Sequence, residues 1–352
     1  MAAPSDPIVA APSDPIVGGG EVVGGVDVGV EVDVGVDVGG TKILAVAVDP
    51  REPGRILAEA ELATRAGSAA PVLADIRAVV HRLAAAVAPE RRRVGAIGVG
   101  LPGLVDRRGV LRVGAHLPGI VDLDLREALA DLGVPLAVDN DGNCAGRAEA
   151  ALGAGRGEPD VLYVGLGTGI SCALILDGAV RRGAHGFSGE PGHATLVVDG
   201  EACACGRAGC WEAYASGAAL GRLARRAAAE GRAAALVAAA GTVAEVRGEH
   251  VTFGAARGDP EASALLVEFA GWVALGLANL VAVLDPGTIV VGGSVSEVGD
   301  LLVGPVSDAL WDLVLDPAPR TALRLRAAAL GRRSGAIGAA LLASEARAIH
   351  GR

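Results

Sequence analysis

From Val32 onward the chain alternates short apolar runs with stretches of helical period. Val32–Gly40 (VDVGVDVGG) is a valine-rich run closing on two glycines, and Lys42–Asp49 follows as a second strand. Arg55–Thr64 reads as a third. Ala70–Ala88 places Val72, Leu73, Ile76, Val79, Val80 and Leu83 at helical spacing. Val94–Gly100 is a continuous apolar run, the mark of a buried strand, and it closes at the Pro102-Gly103 turn. Leu123–Leu132 reads as helix, Val134–Asp139 as strand, and Gly142–Leu152 as helix. The second half starts afresh, with Val161–Leu166 and Ile170–Leu176 flanking the turn Gly167-Thr168-Gly169. A glycine- and cysteine-rich stretch runs from Gly178 to Gly209, and helical segments extend to Leu284. Thr288–Val291 is a buried strand, Asp300–Val314 a helix, and Gly335–Ile349 the last helix. Strand, strand, strand, helix, strand, helix therefore occurs twice. That pattern predicts a duplicated α/β chain with a ligand cleft between its halves.

Length sharpens this division. At 352 residues the chain exceeds one ordinary domain of roughly 150. The pattern predicts a small α/β domain over residues 31–138, with the helix at 335–350 folding back on it. A large α/β domain covers 139–334. Residues 1–30 are expected to be a disordered, low-complexity extension. There AAPSDPIV at Ala2–Val9 recurs at Ala10–Val17, and two such copies cannot build a solenoid.

Composition narrows the function classes. Aromatics make up 2% and the net charge is −10, which argues against a nucleic-acid partner. Lys42 is the single lysine and no Lys or Arg precedes it, so the basic start of a secretory signal is missing. The longest apolar run, Ala270–Leu284, contains Asn279 and falls short of the ~20 residues that span a bilayer, so it is expected to be a core helix. Five cysteines, three of them between Cys203 and Cys210, point to metal or redox chemistry in the cytoplasm.

Three glycine turns sit at strand ends: DVGGTK (Asp37–Lys42), GLGTGI (Gly165–Ile170) and VGGS (Val291–Ser294). Each either lets backbone N–H groups approach phosphate oxygens or is simply a tight hairpin. Thr41 and Thr168 add hydroxyl donors, and the Asp37 carboxylate can orient a hydrated Mg²⁺. VDNDGNCAG sets Asp139, Asn140 and Asp141 at a strand end before a helix, where a carboxylate serves either as a proton acceptor or as a helix cap. His193, Cys203, Cys205 and Cys210 offer one imidazole and three thiolates on a short loop. Such a set suits tetrahedral Zn²⁺ with no open position, hence a structural metal. Cys144 and Cys172 read as small core residues.

DVGGTK followed by the LPG turn, DNDGN, GTG, GEPGH and CxCGxxGCxE resembles the ROK family (repressor, open reading frame, kinase), and within it the bacterial glucokinases. The resemblance runs from about Asp33 to the C-terminus. It implies an actin-like, ribonuclease-H-like duplicated fold with a sugar and ATP bound between two domains. It also implies ATP-dependent phosphorylation of a hexose, glucose foremost, at its 6-hydroxyl, with fructose, mannose or N-acetylmannosamine as alternatives. The pattern makes Asp141 the base, with Asp139 the second candidate. It assigns Gly103, Asn140, Asp141, Glu190, His193 and Glu212 to the sugar. Asp37, Gly39, Gly40, Thr41, Lys42, Gly167, Thr168, Gly169, Gly292 and Gly293 go to Mg-ATP. A homodimer or homotetramer is expected by the same likeness. The family also contains sugar-responsive repressors, but only 36 residues precede Asp37, without Lys or Arg, which disfavours a DNA-binding segment there.

Overall fold

The computed structural model describes residues 30–316, 318–320 and 323–350. The expected extension over residues 1–30 lies outside them except for Val30. The valine-rich run becomes β1, Val30–Val38, paired antiparallel with β2, Lys42–Asp49, and β2 in turn pairs antiparallel with β3, Glu52–Ala63. Helix α1, Ala69–Val87, buries Val72, Ile76, Val79, Val80 and Leu83, the stripe that its spacing predicts. Strand β4, Arg92–Leu101, returns parallel to β1. A separate antiparallel sheet follows, formed by β5, Gly103–Val105, β6, Val110–Gly114, and β7, Val121–Asp124. Then come α2, Leu125–Ala128, β8, Leu136–Asn140, parallel to β4, and α3, Asp141–Leu152.

The helix read over Leu123–Leu132 is shorter than expected. Leu123 and Val121 pair with Leu111 and Val113 of β6, so the segment starts as strand. Asp124 then caps α2 by accepting the Arg126 N–H, and Ala130–Leu132 is a separate 3₁₀ turn.

The second half repeats the first. Strands β9, Val161–Leu166, β10, Ile170–Leu176, and β11, Ala179–Val180, run antiparallel in succession. Helices α4, Glu212–Ala215, α5, Gly217–Ala229, α6, Ala234–Ala240, α7, Gly248–Ala256, and α8, Pro260–Leu284, precede β12, Thr288–Gly292. Helix α9, Asp300–Leu313, β13, Arg324–Ala327, and α10, Ser334–His350, complete the described chain. The sheet orders are β3-β2-β1-β4-β8 and β11-β10-β9-β12-β13, with the same parallel and antiparallel pairs at matching places. Helix α8 is apolar and long enough to cross a bilayer by length and composition. Its Leu265, Phe269, Val273 and Leu277 nevertheless lie in the core of the second half. Leu236, Val246 and Val251 of the alanine-rich segment near residues 231–254 pack into that same core.

Small residues bring the halves together. A Cβ at Gly98 would overlap the Ala339 carbonyl oxygen, and one at Gly338 would overlap that of Cys144. Glycine is therefore required for α10 to lie on β4 and against α3. Gly146 of α3 likewise packs on Ala173 of β10, and a Cβ at Gly142 would sit 3.0 Å from the Cys172 backbone. The N-terminus of α3 is thus held at the junction of the two sheets.

Candidate active site

A cleft of about 650 Å³ opens at that junction. The first half lines it with Gly39, Gly40, Gly103, Asn140 and Asp141, and the second with Gly167, Thr168, Gly169, Glu190, His193, Glu212 and Gly293. Cys205 touches it too. Asp37, Thr41, Lys42, Gly292, Cys203 and Cys210 stand outside the lining. Lys42 is exposed and pairs with Glu61 at 3.9 Å, while Gly292 is buried at the end of β12.

Two of the glycine turns are the tight hairpins that their sequence allows. Gly39 N–H donates to the Lys42 carbonyl at 2.8 Å and Gly167 N–H to that of Gly169 at 3.0 Å, so each closes a hairpin while forming cleft wall. Gly293 has φ 81°, and a side chain there would collide with the Leu166 backbone.

Asn140 caps α3 by accepting the Asn143 N–H at 3.1 Å, and its amide donates to the Gly103 carbonyl at 3.1 Å. Asp141 accepts the Gly142 N–H at 2.8 Å. Asp139 faces the other way. It is buried, one oxygen accepting the Asn140 N–H and the Asn143 amide, the other the Arg182 guanidinium. Glu212 accepts the Ile170 N–H at 2.8 Å, which ties it to the glycine turn, and its second oxygen lies 3.8 Å from the Cys203 sulfur.

Acid groups dominate the field. Burial raises Asp141 to about 6. Burial raises Glu190 to about 7, with the charges of Asp141 and Glu212 adding to it. Asp37, behind the first turn, is raised to about 7 by burial and then by Asp141, with Lys42 opposing. Among the described residues, no lysine or arginine lines the cleft.

His193, Cys203, Cys205 and Cys210 converge, their ligand atoms all within 4.8 Å of one another. Cys203 Sγ is 3.8 Å from His193 Nδ1, and the Cys205 and Cys210 sulfurs are 3.6 Å apart. A tetrahedral ion at 2.3 Å from each thiolate places sulfurs about 3.8 Å apart, so the cluster fits such a metal.

Three further lining residues are assigned no role by the sequence reading. His116 adopts φ 58° after β6, with its Cβ 2.8 Å from where a Gly40 Cβ would stand. Tyr163 and Ser171 come from β9 and β10. Short segments and isolated side chains such as these are placed only by the tertiary fold.

Two halves of one strand order around a shared cleft define the actin-like, ribonuclease-H-like class. The chain belongs to the ROK family, whose family model matches residues 33–346. It is 37% identical over 316 residues to the glucokinase of Streptomyces coelicolor, spanning 88% of this chain and 96% of that one. The ROK family glucokinase from Streptomyces griseus, solved in complex with glucose and AMPPNP, matches with a TM-score of 0.81 and 37% identity, covering 89% and 99% of the two chains. The xylose repressor of Caldicellulosiruptor bescii is 27% identical over 215 residues, 61% of this chain and 54% of the repressor.

Proposed function

We propose that the chain is an ATP-dependent sugar kinase that phosphorylates the 6-hydroxyl of a hexose, with glucose the preferred acceptor. The observation that carries this reading is a single cleft that combines glycine turns from both halves with Asn140, Asp141, Glu190, His193 and Glu212. The similarity to the two Streptomyces glucokinases supports it.

Asp141 acts as the general base. Held near 6, its carboxylate is ionised at neutral pH yet more basic than an ordinary aspartate. As the sugar oxygen bonds to the γ-phosphorus, the bond from phosphorus to the ADP oxygen breaks and the hydroxyl proton passes to Asp141. Asn140 spends one amide hydrogen on Gly103 and keeps the other for the sugar. Glu190, His193, Glu212 and the Gly103 backbone supply the remaining polar partners that a polyol needs. Gly39, Gly40 and Thr41 on one side, and Gly167, Thr168, Gly169, Gly292 and Gly293 on the other, are assigned to the nucleotide; the resemblance adds Lys42, whose amine here pairs with Glu61 instead. Asp37 orients the hydrated Mg²⁺ that arrives with it. Because no lysine or arginine lines the cleft among the described residues, that cation and the backbone N–H groups would compensate the phosphate charge.

We place a structural Zn²⁺ on His193, Cys203, Cys205 and Cys210; a closed four-ligand site holds a loop and activates no water. His193 turns Nδ1 to Cys203, which leaves its opposite ring nitrogen for the sugar. We further propose the domain division at residues 31–138 and 139–334, with 335–350 on the first, and a homodimer or dimer of dimers. Light scattering tests the assembly. A coupled assay with glucose, fructose, mannose and N-acetylmannosamine, each with ATP or polyphosphate, tests the activity. Glucose with ATP should give the highest kcat/KM, and no turnover of any hexose overturns the reading.

A further inference from the structure

The loop between β11 and Glu190 reaches from the second half to the first. Arg182, two residues after β11, donates through Nε and Nη2 to a single oxygen of Asp139, at 2.9 and 2.5 Å. Asp139 stands near the end of β8 and its side chain is only 4% exposed, while that of Arg182 is 32% exposed, so the carboxylate is desolvated and the guanidinium reaches it from the surface. The other Asp139 oxygen holds the Asn140 N–H and the Asn143 amide, each at 2.9 Å. Through these bonds the guanidinium is linked to the cap of α3, and so to Asn140 and Asp141. The loop is pinned to the first half elsewhere as well. Arg107 donates to the Gly183 carbonyl at 3.5 Å. Gly186, at φ 101°, lies so close to the Val105–Arg107 backbone that a Cβ would fall 2.6 Å from the Val105 oxygen. Ser188 N–H returns to the Arg182 carbonyl at 3.2 Å, and Glu190 follows two residues later.

We propose that Arg182 is a positioning residue. It is a strut between the halves that sets the loop bearing Glu190 against the strand end bearing Asn140 and Asp141. The sugar side of the cleft is thereby held as one unit, whereas the glycine turns assigned to the nucleotide lie off this network. The proposal rests on the reading of Asp141 and Glu190 as sugar-side residues. A planar fork suits the task, because two donors on one carboxylate fix direction as well as distance, which a lysine ammonium does not. Without its cation the buried Asp139 carboxylate would be left uncompensated and would have to move.

The test compares Arg182→Met, Arg182→Lys, Asp139→Asn and the double variant Arg182→Met with Asp139→Asn, in the full chain. A displacement of the base by about 1 Å costs about 10²-fold, so kcat/KM for the sugar should fall by that order in Arg182→Met while the KM for ATP holds. Arg182→Lys should recover part of the loss. The double variant should be no worse than its more impaired parent, because both changes break one interaction. Hydrogen exchange should rise together at residues 181–190 and 140–145. A lower melting temperature with unchanged sugar kinetics, or losses that multiply in the double variant, would overturn the strut. Should the wild type phosphorylate no hexose, the activity reading fails by itself. The strut is then judged by exchange alone: loosening on both sides in Arg182→Met supports it, and loosening confined to the loop overturns it.

Discussion

The two halves share a strand order and differ in where the chain departs from it. In the first, the departure falls between β4 and β8, where the β5–β7 sheet brings Gly103 and His116 to the cleft. In the second it falls between β11 and β12, and residues 181–287 hold Glu190, His193, the cysteines, Glu212 and five helices. What the halves have in common is the glycine hairpin: Gly39-Gly40 joins β1 to β2 as Gly167–Gly169 joins β9 to β10. The helices after the fifth strands are counterparts as well. Asp141 opens α3, and Asp37 lies against the start of α10, where a Cβ on Gly335 would overlap its carboxylate. A helix N-terminus favours a carboxylate at each place. Duplication thus supplies a symmetric frame of turns and acids, and in the proposed reading the unequal insertions add Gly103, Glu190, His193 and Glu212 to the acceptor side that Asn140 and Asp141 begin.

The comparison breaks most sharply at Asp141. Asp141→Asn keeps shape and hydrogen bonding but removes the proton acceptor, so kcat should fall by about 10²–10⁴ while sugar affinity changes little. Asp139→Asn should lower kcat/KM for the sugar as Arg182→Met does, by displacing the base rather than removing it, and so should lower kcat less than Asp141→Asn. If Asp141→Asn turned over normally and Asp139→Asn were inert in kcat, the base would lie two residues earlier than assigned.

On the other half, Cys205→Ser tests scaffold rather than chemistry. Loss of one thiolate should lower the bound zinc, read by elemental analysis, and the melting temperature, because structural metal binding is folding free energy. The loop carrying His193 would loosen, and sugar affinity should drop by about 10- to 100-fold. Full zinc with full affinity in this variant would remove the metal reading. Prolonged chelation of the wild type should reproduce the same losses.

What could be read from the sequence divides along the same line. Most of the duplicated frame was legible because its central strands are apolar runs and its helices carry a clean stripe, as in α1 with Val72, Ile76, Val79 and Leu83, whereas the edge strands β11, of two residues, and β13, with two arginines in four, gave no such signal. The cysteine loop was legible from spacing, since three thiols within eight residues have few other uses. The β5–β7 sheet was not, because strands of three to five residues are too short to show alternation. Arg182 was invisible for a different reason. It is one arginine among thirty, and its partner lies 43 residues away in the chain.

Acidity distinguishes the cleft from the surface around it, and pH should expose the difference. Asp37, Asp141 and Glu190 sit near 7, 6 and 7, above their ordinary values of 3.8, 3.8 and 4.5. In that window the folded chain retains protons that the unfolded chain releases, so these groups reduce stability as pH climbs from about 4 to about 7. Asp106 has the opposite sign. Although burial works against it, bonds from Val110, Arg112 and Arg108 hold it at about 2, so its contribution is present above about 4 and is lost as pH falls toward 2. With Asp141 as the proposed base, which must be ionised to accept a proton, kcat/KM should rise through about pH 6 just where stability declines. Asp141→Asn should narrow the gap in melting temperature between pH 5 and pH 8. An unchanged gap would mean that the cleft acids are not penalised by burial.

The smallest effect is expected at Lys42, the one lysine in the chain. It follows a glycine turn assigned to the nucleotide, yet its amine pairs with Glu61 at 3.9 Å, with the two side chains 50% and 44% exposed. An exposed pair of that length contributes about 1 kcal/mol at most, because water screens it and two long side chains must be ordered to make it. Lys42→Ala should therefore shift stability by no more than that, and the KM for ATP by no more than about fivefold. Chemistry offers an independent check. An amine reagent can reach a single side chain here, so acylation of Lys42 followed with and without Mg-ATP reports directly on its surroundings. Equal rates would leave Lys42 on the outer face of β2. Strong protection together with a hundredfold loss of ATP affinity in Lys42→Ala would mean that the side chain swings away from Glu61 to the phosphates, giving the first hairpin a cation that its counterpart at Gly167–Gly169 lacks.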